Sequence, residues 1–265
     1  MTFRDLHYDD LPLVLPNAWD VPSALALLEA GFTAIGTTSF GVAASNGAPD
    51  GGGSTRDANL RLAAALRPLD CHLSLDVEDG YSADPDHVAD YVALLPVDGI
   101  NIEDSTAEAL IAPELHAAKI RAIKARSPHL FVNARIDTYW LGQSISRRFA
   151  RPESATLAET VDRASHYVEA GADGIFVPGA SDPAVLRELA HAIDRPLNVL
   201  AIQGFSPADL AALGVRRVST GSLPYRAALS AAVAVAIATR GGCKFPAALS
   251  YPDMQEQLNR YVHGR

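Results

Sequence analysis

Acidic side chains follow two apolar stretches of the sequence. Asp76 ends the stretch at residues 72–75, Glu78 comes two residues later, and Glu103 ends the stretch at residues 99–102. At the tips of neighbouring parallel strands these carboxylates repel one another, and a cation is expected to offset that repulsion. Oxygen ligands without a nearby His or Cys favour Mg²⁺ or Mn²⁺ over zinc. The alternative is that these acids cap the following helices or pair with arginines.

Arg135 follows another apolar stretch, between Asn133 and Asp137. A guanidinium binds carboxylates through two parallel hydrogen bonds, so Arg135 is a candidate clamp for a carboxylate substrate. The other interpretation is an internal salt bridge with Asp137 or Glu103. The two interpretations do not exclude each other.

Hydroxyl side chains end an earlier apolar stretch, at Thr38 and Ser39. They could offer hydroxyls and backbone N–H groups to a substrate carboxylate, or they could satisfy the backbone of a turn. The following segment, residues 40–57, is long, rich in small residues and contains Asp50. A connection of this length predicts a lid over a site. Its glycine run at 51–54 lacks the Gly-Lys-Ser/Thr ending of a phosphate-binding loop, which favours a flexible loop.

Eight short apolar stretches alternate with helical patterns along the chain, and each stops at a polar cluster. The stretches lie at residues 13–15, 33–36, 73–75, 99–102, 130–132, 174–177, 197–201 and 217–220. Strands that alternate with helices indicate parallel βαβ units, and eight such units predict a (β/α)8 TIM-type barrel with its site at the carboxyl ends of the strands. A doubly wound sheet is the main alternative, but its glycine-rich dinucleotide loop is absent after the first stretch. We predict a single domain, residues 1–265, with a C-terminal helical extension at about 223–265.

Composition narrows the class of protein. The net charge of −9 argues against a nucleic-acid partner. The two cysteines, Cys71 and Cys243, show no metal-binding or redox spacing, and no apolar leader begins the sequence, so a cytoplasmic protein is expected. The apolar run at 228–238 is too short to span a membrane. It predicts a helix that is buried on nearly all sides, against another subunit.

Several motifs, in the same order along nearly the whole chain, resemble the isocitrate lyase/phosphoenolpyruvate mutase superfamily. They are Pro16-Asn17-Ala18-Trp19-Asp20, Gly31-Phe32-Thr33-Ala34-Ile35 with Thr38-Ser39, Pro49-Asp50, Asp76-Val77-Glu78, Gly99-Ile100-Asn101-Ile102-Glu103-Asp104, Asn133-Ala134-Arg135-Ile136-Asp137, and Ala170-Gly171-Ala172-Asp173-Gly174-Ile175-Phe176-Val177-Pro178-Gly179.

The resemblance implies a barrel whose last helix is exchanged with a neighbouring subunit, in a homodimer or homotetramer. It implies Mg²⁺ near Asp76, Glu78 and Glu103, largely through bridging waters. It also implies that the metal, Arg135 and the turn at 38–39 hold a 2-oxo acid or its enolate. Reactions of the superfamily cleave or form C–C bonds, or rearrange or hydrolyse P–C bonds, through an enolpyruvate-like or closely related anion.

The chain departs from the superfamily pattern in three places. Asp76-Val77-Glu78 replaces the usual Asp-x-Asp, and Gly36 stands where an aromatic residue is often found. The lyase loop Lys-Lys-Cys-Gly-His is missing, because residues 105–113 contain no Cys, Lys or His. The Lys and Asn of the phosphonomutase loop are missing too. The proton-transfer group must therefore come from elsewhere, and the candidates are Asp50, Asp79, Tyr81 and Glu108.

The sequence thus predicts a Mg²⁺-dependent (or Mn²⁺-dependent) lyase-type enzyme that cleaves or forms a C–C bond in a small 2-oxo or 2-hydroxy carboxylate through an enolate-like intermediate. The alternatives are a phosphonopyruvate-type P–C mutase or hydrolase, and a non-catalytic binder of 2-oxo acids. The predicted site comprises catalytic Arg135, Asp50 and Glu103, substrate-binding Thr38, Ser39, Asn133 and Arg135, and metal-binding Asp76, Glu78 and Glu103.

Overall fold

The computed structural model describes residues 1–144 and 153–263, and within them parallel strands form a closed ring. The ring contains β1 (Leu13–Leu15), β2 (Asn17–Ala18), β3 (Ala34–Thr37), β4 (His72–Asp76), β5 (Gly99–Glu103), β8 (Phe131–Arg135), β9 (Gly174–Phe176), β10 (Leu197–Leu200) and β11 (Val215–Ser219), while β6 (Ser105–Thr106) and β7 (Ala109–Leu110) form a separate hairpin. The order in the ring is β1-β11-β10-β9-β8-β5-β4-β3-β2. The predicted TIM-type barrel is confirmed.

The ring closes through the first stretch of chain, which Pro16 divides into β1 and β2. β1 pairs with β11 and β2 pairs with β3, both in parallel. Pro16 has no N–H to donate, but its carbonyl accepts from the Gly36 N–H at 2.8 Å. The two short strands therefore act as one staggered barrel strand.

Helices alternate with the barrel strands, as the sequence predicts. They are α1 (Val21–Glu29), α2 (Ser39–Ser45), α3 (Arg56–Leu66), α4 (Pro85–Ala93), α5 (Pro113–Arg126), α6 (Thr138–Ser144), α7 (Glu153–Glu169), α8 (Pro183–Ala192), α9 (Pro207–Ala211), α10 (Leu223–Gly241) and α11 (Tyr251–His263), after a 3₁₀ turn at Asp5–His7. Their starts carry the expected caps: the Asp20 side chain accepts from the Ser23 N–H at 2.8 Å, and Ser206 and Asp209 form a capping box.

Two local predictions differ from the structure. Residues 39–45 form α2 rather than loop, because the Thr38 side chain caps the helix and the small apolar residues after it are buried. The lid segment is therefore shorter than expected, about residues 46–55. The basic amphipathic repeat at 117–126 predicts a helix there; α5 contains it but begins four residues earlier, at Pro113, since proline suits the first turn of a helix. In the sequence, residues 140–154 interrupt the alternation of strands and helices and predict an exposed insertion; they lie largely outside the described residues.

Polar side chains occupy the middle of the barrel. Arg217 is 1% exposed, and its Nη2 lies 3.0 Å from the Asn101 Oδ1. Burial away from any carboxylate contact lowers the pKa of Arg217 to about 9, and the more distant Asp76 only partly offsets this. Below it, His7 stacks on Phe131 with ring centroids 4.1 Å apart and closes the amino-terminal end of the barrel.

The C-terminal segment leaves the barrel with its apolar side chains exposed. Leu229, Val233 and Ile237 on α10 are each more than half exposed, and Ala238 is a buried residue of that helix. Residues 228–238 were predicted to be buried, but the rest of this chain does not cover them. Among the described helices, none combines the length and apolar character needed to cross a membrane.

Candidate active site

Asp76 and Glu103 lie at the carboxyl ends of neighbouring strands, β4 and β5, as the sequence predicts. The Asp76 Oδ2 accepts a hydrogen bond from the Ser39 N–H at 3.1 Å, and the Asp76 N–H donates to the Thr37 Oγ1 at 3.0 Å. The start of α2 therefore fixes one oxygen of Asp76. Asp76 is 9% exposed, so its carboxylate reaches solvent only through the barrel mouth.

Glu78 is directed toward the lid segment. Its Oε2 accepts from the Gly53 N–H at 2.9 Å, and its Oε1 accepts from the Thr55 hydroxyl. Thr55 in turn lies 2.8 Å from the Tyr81 hydroxyl. The backbone of Glu78 has φ +50°, a conformation that costs energy in a non-glycine residue and is retained where the surroundings enforce it. Glu78 thus fastens the glycine-rich segment over the end of β4.

Arg135 binds two carboxylates at once. Its Nη1 lies 2.7 Å from the Glu103 Oε2, and its Nε lies 2.6 Å from the Asp137 Oδ1. Burial opposes the charge on the guanidinium, but the carboxylates of Asp137, Glu103 and Asp76 together raise the pKa of Arg135. Both the salt bridge with Glu103 and the one with Asp137 that the sequence allowed are therefore present.

The pKa of Glu103 indicates an excess of negative charge in the site. Burial raises the pKa of Glu103 well above its usual value; Arg135 opposes this rise, while Asp137, Asp76 and Asp50 add to it. A carboxylate whose neighbours are mainly carboxylates favours either a proton or a cation.

A second set of contacts holds Asp137 and was not predicted from the sequence. The Asp137 N–H donates to the Asp104 Oδ1 at 2.9 Å, and the other oxygen of Asp104 accepts from the Tyr167 hydroxyl at 2.7 Å and from the Arg163 Nη1 at 3.1 Å. Arg163 and Tyr167 belong to α7, about 60 residues away in sequence. This network orients the partner of Arg135.

Two cavities meet at the barrel mouth. The inner cavity has a volume of about 140 Å³, and the outer cavity has a volume of about 700 Å³. Both are lined by Asp50, Arg135 and Trp140. The inner cavity also has Asn17, Thr38, Ser39, Asp76, Asn101, Thr220, Ser222 and Arg226 in its wall, and the outer cavity has Glu78, Asp79, Tyr81, Glu103, Glu108, Lys119 and Asp137.

The substrate-binding predictions have different outcomes in this geometry. Thr38 and Ser39 line the inner cavity, although the Thr38 hydroxyl also accepts from the Gly41 N–H in capping α2. Asn133 lines neither cavity; it is buried, and its Nδ2 donates to Asn101 at 2.9 Å and to Asn198 at 3.1 Å. The position that sequence reasoning gave to Asn133 is held by Asn101, its partner in the β5–β8 register.

Gly36 explains one departure from the superfamily pattern. A Cβ at this position would lie 2.8 Å from the Asn17 Nδ2, which itself donates to the Thr37 carbonyl at 2.6 Å. The Asn17 Oδ1 accepts from the Thr220 N–H at 2.8 Å and the Gly221 N–H at 2.9 Å. The absence of a side chain at 36 therefore gives Asn17 the room to connect β2 to the end of β11.

The candidates for proton transfer are not equivalent. Asp50 is an exposed residue that lines both cavities; the partial desolvation of its carboxyl, together with the nearby Asp76, raises its pKa, while a hydrogen bond with the Ser39 side chain acts against the rise. Burial raises the pKa of Tyr81 far above its usual value, so this phenol is not readily ionised. Asp79 accepts from the Thr106 hydroxyl at 2.6 Å, and Glu108 is exposed. Asp50 is the candidate that reaches the inner cavity.

Lys119 is a cation that sequence reasoning missed. It lies on α5, is 3% exposed, lines the outer cavity and donates to the Asp79 carbonyl at 2.7 Å. Burial lowers the pKa of this amine, and Asp79 partly offsets the effect. Its signal in the sequence was a Lys on the otherwise apolar face of a helix.

Mg²⁺ was predicted at Asp76, Glu78 and Glu103. Within residues 1–144 and 153–263, no group of three or more His, Cys, Asp or Glu side chains is arranged to hold a metal ion by itself. Both oxygens of Glu78 already accept hydrogen bonds, so direct ligation by all three is not what the geometry favours. Mg²⁺ usually keeps several waters and needs only one or two carboxylates, so the excess negative charge around Asp76 and Glu103 fits a hydrated ion.

The family model described as phosphoenolpyruvate phosphomutase matches residues 3–240. An uncharacterised protein of Mycobacterium tuberculosis strain H37Rv is 57% identical over 261 residues, 98% of this chain and 97% of that protein. The 2-methylisocitrate lyase of Bacillus subtilis strain 168 is 30% identical over 207 residues, 74% of this chain and 64% of that enzyme.

Solved structures agree with this relationship. A putative lyase/mutase from Burkholderia cenocepacia J2315 superposes with a TM-score of 0.84 at 33% identity, covering 97% of this chain and 94% of that one. A phosphonopyruvate hydrolase in complex with oxalate and Mg²⁺ superposes with a TM-score of 0.79 at 24% identity, covering 100% and 99%, and supports the fold alone. The chain belongs to the phosphoenolpyruvate phosphomutase family, within the isocitrate lyase/phosphoenolpyruvate mutase superfamily.

Proposed function

We propose that the protein is a Mg²⁺-dependent lyase-type enzyme that cleaves or forms a C–C bond in a small 2-oxo or 2-hydroxy carboxylate. The observation that carries the proposal is the group of buried carboxylates at the barrel mouth, Asp76, Glu103 and Asp137, which Arg135 neutralises only in part. Membership of a family of enzymes that includes lyases supports it. Mn²⁺ would serve in the same role.

The residues that would hold the metal are Asp76 and Glu103, with Glu78 acting through water. A divalent ion supplies a Lewis acid, which stabilises the negative charge that develops on a 2-oxo group as it becomes an enolate. The chain contributes the rest of the electrostatic environment. Arg135 places a fixed positive charge beside Glu103, in a site where little water competes.

The inner cavity would receive the carboxylate end of the substrate. Thr38 and Ser39 line it, next to the Asp76 carboxylate that the Ser39 N–H holds. Asp50 is the group we assign to proton transfer, because it lines both cavities and contacts Ser39. A carboxyl in this position can take a proton from the substrate and return it, as a general base and acid do. Asp50 would thereby replace the missing cysteine of the lyase loop.

P–C bond chemistry on phosphonopyruvate is the second candidate. The description of the matching family model and the phosphonopyruvate hydrolase of the same fold are the reasons to test this reaction. In the 105–113 segment, however, β6 and β7 form a hairpin without the Lys and Asn of the phosphonomutase loop. A phosphonate carries up to two negative charges and would need additional cations there. A non-catalytic binder of 2-oxo acids is the third candidate, and turnover measurements separate it from the enzymes.

The exposed apolar side chains of α10 support a proposal on assembly. Leu229, Val233 and Ile237 form an uncovered face on a helix that extends from the barrel. Apolar faces of this kind are typically covered by a partner. We propose that α10 packs on a second copy of the chain in a homodimer or homotetramer, as the exchanged last helix of the superfamily does. A small-molecule carboxylate is the other partner, and neither nucleic acid nor membrane is expected.

A cytoplasmic location is part of the same proposal. Cys71 and Cys243 are both unpaired in the structure. Burial raises the pKa of the Cys71 thiol to about 11, so the group is unreactive. Unpaired thiols suit a reducing compartment.

The test of the proposed function is turnover on a panel of 2-hydroxy di- and tricarboxylates and phosphonopyruvate. Release of pyruvate, glyoxylate or another 2-oxo acid is followed with Mg²⁺ and with EDTA. We expect Mg²⁺-dependent release from a hydroxycarboxylate. Release of phosphate from phosphonopyruvate (hydrolase) or its conversion to phosphoenolpyruvate (mutase) as the dominant activity would overturn the C–C assignment, and binding of 2-oxo acids without any turnover would indicate the non-catalytic relative.

A further inference from the structure

Arg217 is a buried cation that pairs with no carboxylate in the part of the chain that the structure describes. It lies in the middle of the barrel, where its Nη2 is 3.0 Å from the Asn101 Oδ1 and its buried Nη1 has no hydrogen-bond partner among the described residues. Its pKa, which burial lowers to about 9, still leaves the guanidinium charged at neutral pH. An unpaired buried charge is costly, and charges of this kind are concentrated at functional sites.

Two donors fix the orientation of the Asn101 side chain. Its Oδ1 accepts from the Arg217 Nη2 at 3.0 Å and from the Asn133 Nδ2 at 2.9 Å. A guanidinium has donors only, so the oxygen of the amide, and not its nitrogen, must face Arg217. The Asn101 Nδ2 is therefore the end of the amide that is left for another partner.

The Asn101 Nδ2 donates to no group within residues 1–144 and 153–263, although Asn101 lines the inner cavity. In the register of β4 and β5, Asn101 is the partner of Asp76. The two side chains therefore enter the barrel side by side, from strands about 4.8 Å apart. A ligand that a cation holds at Asp76 lies next to this donor, which pairs with an acceptor oxygen.

Arg217 strengthens this donor from the other side of the amide. A cation at the carbonyl oxygen draws electron density away from the amide nitrogen, and hydrogen bonds in series reinforce one another inside a protein. A carboxylate bound to Arg217 would cancel this effect, so an unpaired arginine suits the position. The positive charge in the barrel interior thus acts on the inner cavity through the Asn101 amide.

We infer that the Asn101 Nδ2 donates to the oxygen that becomes negative as a 2-oxo acid turns into its enolate, and that Arg217 is the positioning residue that orients and polarises Asn101. The inference rests on the proposed function, because this oxyanion forms only if the protein acts on a 2-oxo acid. A donor that is already oriented, in a site with little water, stabilises the developing charge more than it stabilises the neutral oxo group.

The test is a double-mutant cycle on the affinity for oxalate, a mimic of the enolate. Oxalate with Mg²⁺, and Mg²⁺ alone, are titrated calorimetrically into the full-length wild-type protein, Arg217→Met, Asn101→Leu and the double variant. Ser74→Ala is the control, because the Ser74 hydroxyl also contacts the Arg217 Nη2, at 3.5 Å, but does not line the inner cavity. Asn101→Ala, which leaves room for water beside Arg217, replaces Asn101→Leu if that variant does not fold.

We expect oxalate to bind Asn101→Leu about 10- to 100-fold more weakly than wild type, as the loss of a hydrogen bond to a charged group requires. Arg217→Met should weaken oxalate binding about tenfold when Asn101 is present, but less than about twofold when Asn101 is already Leu, because Arg217 acts through Asn101. Ser74→Ala should bind oxalate as wild type does. Mg²⁺ affinity should fall in none of the variants, since none of them removes a carboxylate.

Three results would overturn the inference. Oxalate affinity could be unchanged in Asn101→Leu, Arg217→Met could cost the same affinity with and without Asn101, or Ser74→Ala could lose as much affinity as Arg217→Met. Failure of the proposed function looks different, because wild type itself would then show no Mg²⁺-dependent oxalate binding, and the inference would fall with it.

Discussion

The Arg135 Nη1 lies 2.7 Å from the Glu103 Oε2, and the same guanidinium holds Asp137 through its Nε at 2.6 Å. One guanidinium thus pairs with two buried carboxylates, and Asp76 lies close enough to raise the pKa of Glu103 further. The mouth of the barrel is therefore negative even after its internal ion pairs are counted. This imbalance is the physical reason to expect a divalent cation there.

Removing Arg135 should destabilise the fold as well as the site. In Arg135→Met, Glu103 and Asp137 lose their counter-charge inside the barrel, and breaking a buried pair in this way costs about 3–5 kcal/mol. Arg56→Met is the matched control, because the Arg56–Asp57 pair is exposed and worth at most about 1 kcal/mol. Urea unfolding without metal measures both. Equal stability of the two variants would show that Arg135 does not balance the buried charges.

Glu78 should control the lid segment. In Glu78→Ala the Gly53 N–H and the Thr55 hydroxyl lose their acceptor, so we expect residues 51–54 to be cleaved several-fold faster by a nonspecific protease. Glu108→Ala removes an exposed carboxylate from the same outer cavity and should leave the cleavage rate unchanged. Slow cleavage in both variants would mean that other contacts hold the segment.

The barrel, and the location of the site at the carboxyl ends of its strands, could be predicted from the sequence because both follow from local patterns. The apolar stretches and their polar ends specify that Asp76, Glu103 and Arg135 lie at the same edge. The strand pattern does not predict contacts that involve helices and loops far away in the sequence. The bonds of Asp104 to Arg163 and Tyr167 depend on how α7 packs, and the contact of Glu78 with Thr55 depends on the path of a loop.

The placement of Asn133 shows a second limit. Alternate residues of a strand point to opposite faces, so a sequence specifies which side chains enter the barrel but not which layer they occupy. Asn133 is buried, lines neither cavity, and donates to Asn101 and Asn198 instead. The position of Arg226 in the wall of the inner cavity was not predicted for another reason, because its helix was interpreted only as an apolar contact with another subunit.

Acid should destabilise the protein through two buried histidines. Burial lowers the pKa of His7 to about 3, with Arg217 and Arg4 acting in the same direction, and it lowers the pKa of His116 to about 3, with Lys119 and Arg163 adding to the effect. In the unfolded chain each imidazole takes up a proton near pH 6.5, which the folded chain resists until about pH 3. Stability from the neutral rings is therefore complete above pH 6.5 and is lost as the pH falls.

The measurement is urea unfolding at several pH values between 6.5 and 5. Each buried imidazole should contribute a slope of about 0.7 kcal/mol per pH unit at pH 6.5, which rises to about 1.4 kcal/mol per pH unit near pH 5. His116→Phe keeps an aromatic ring against Tyr167 and should remove one such slope, while His87→Phe, on the surface, should remove none. The same slope in wild type and His116→Phe would contradict the assignment.

Asp50 should affect turnover more than ligand binding. In Asp50→Asn the group that lines both cavities can no longer exchange a proton, and loss of a general acid or base costs about 10²–10⁴ in rate. Affinity for oxalate with Mg²⁺ should stay within about threefold. Asp79→Asn is the control, because its carboxylate is engaged by Thr106 at 2.6 Å. A larger rate loss in Asp79→Asn would transfer the role to Asp79.

The central claim is that the carboxylates at the barrel mouth bind a 2-oxo acid through a divalent cation. Calorimetric titration of oxalate, a mimic of the enolate, into wild type and Asp76→Ala, each with Mg²⁺ and with EDTA, measures this most directly. The account predicts binding to wild type only with Mg²⁺, and at least about 100-fold weaker binding to a folded Asp76→Ala. Oxalate binding that is equally strong in EDTA, or unchanged in Asp76→Ala, would contradict it.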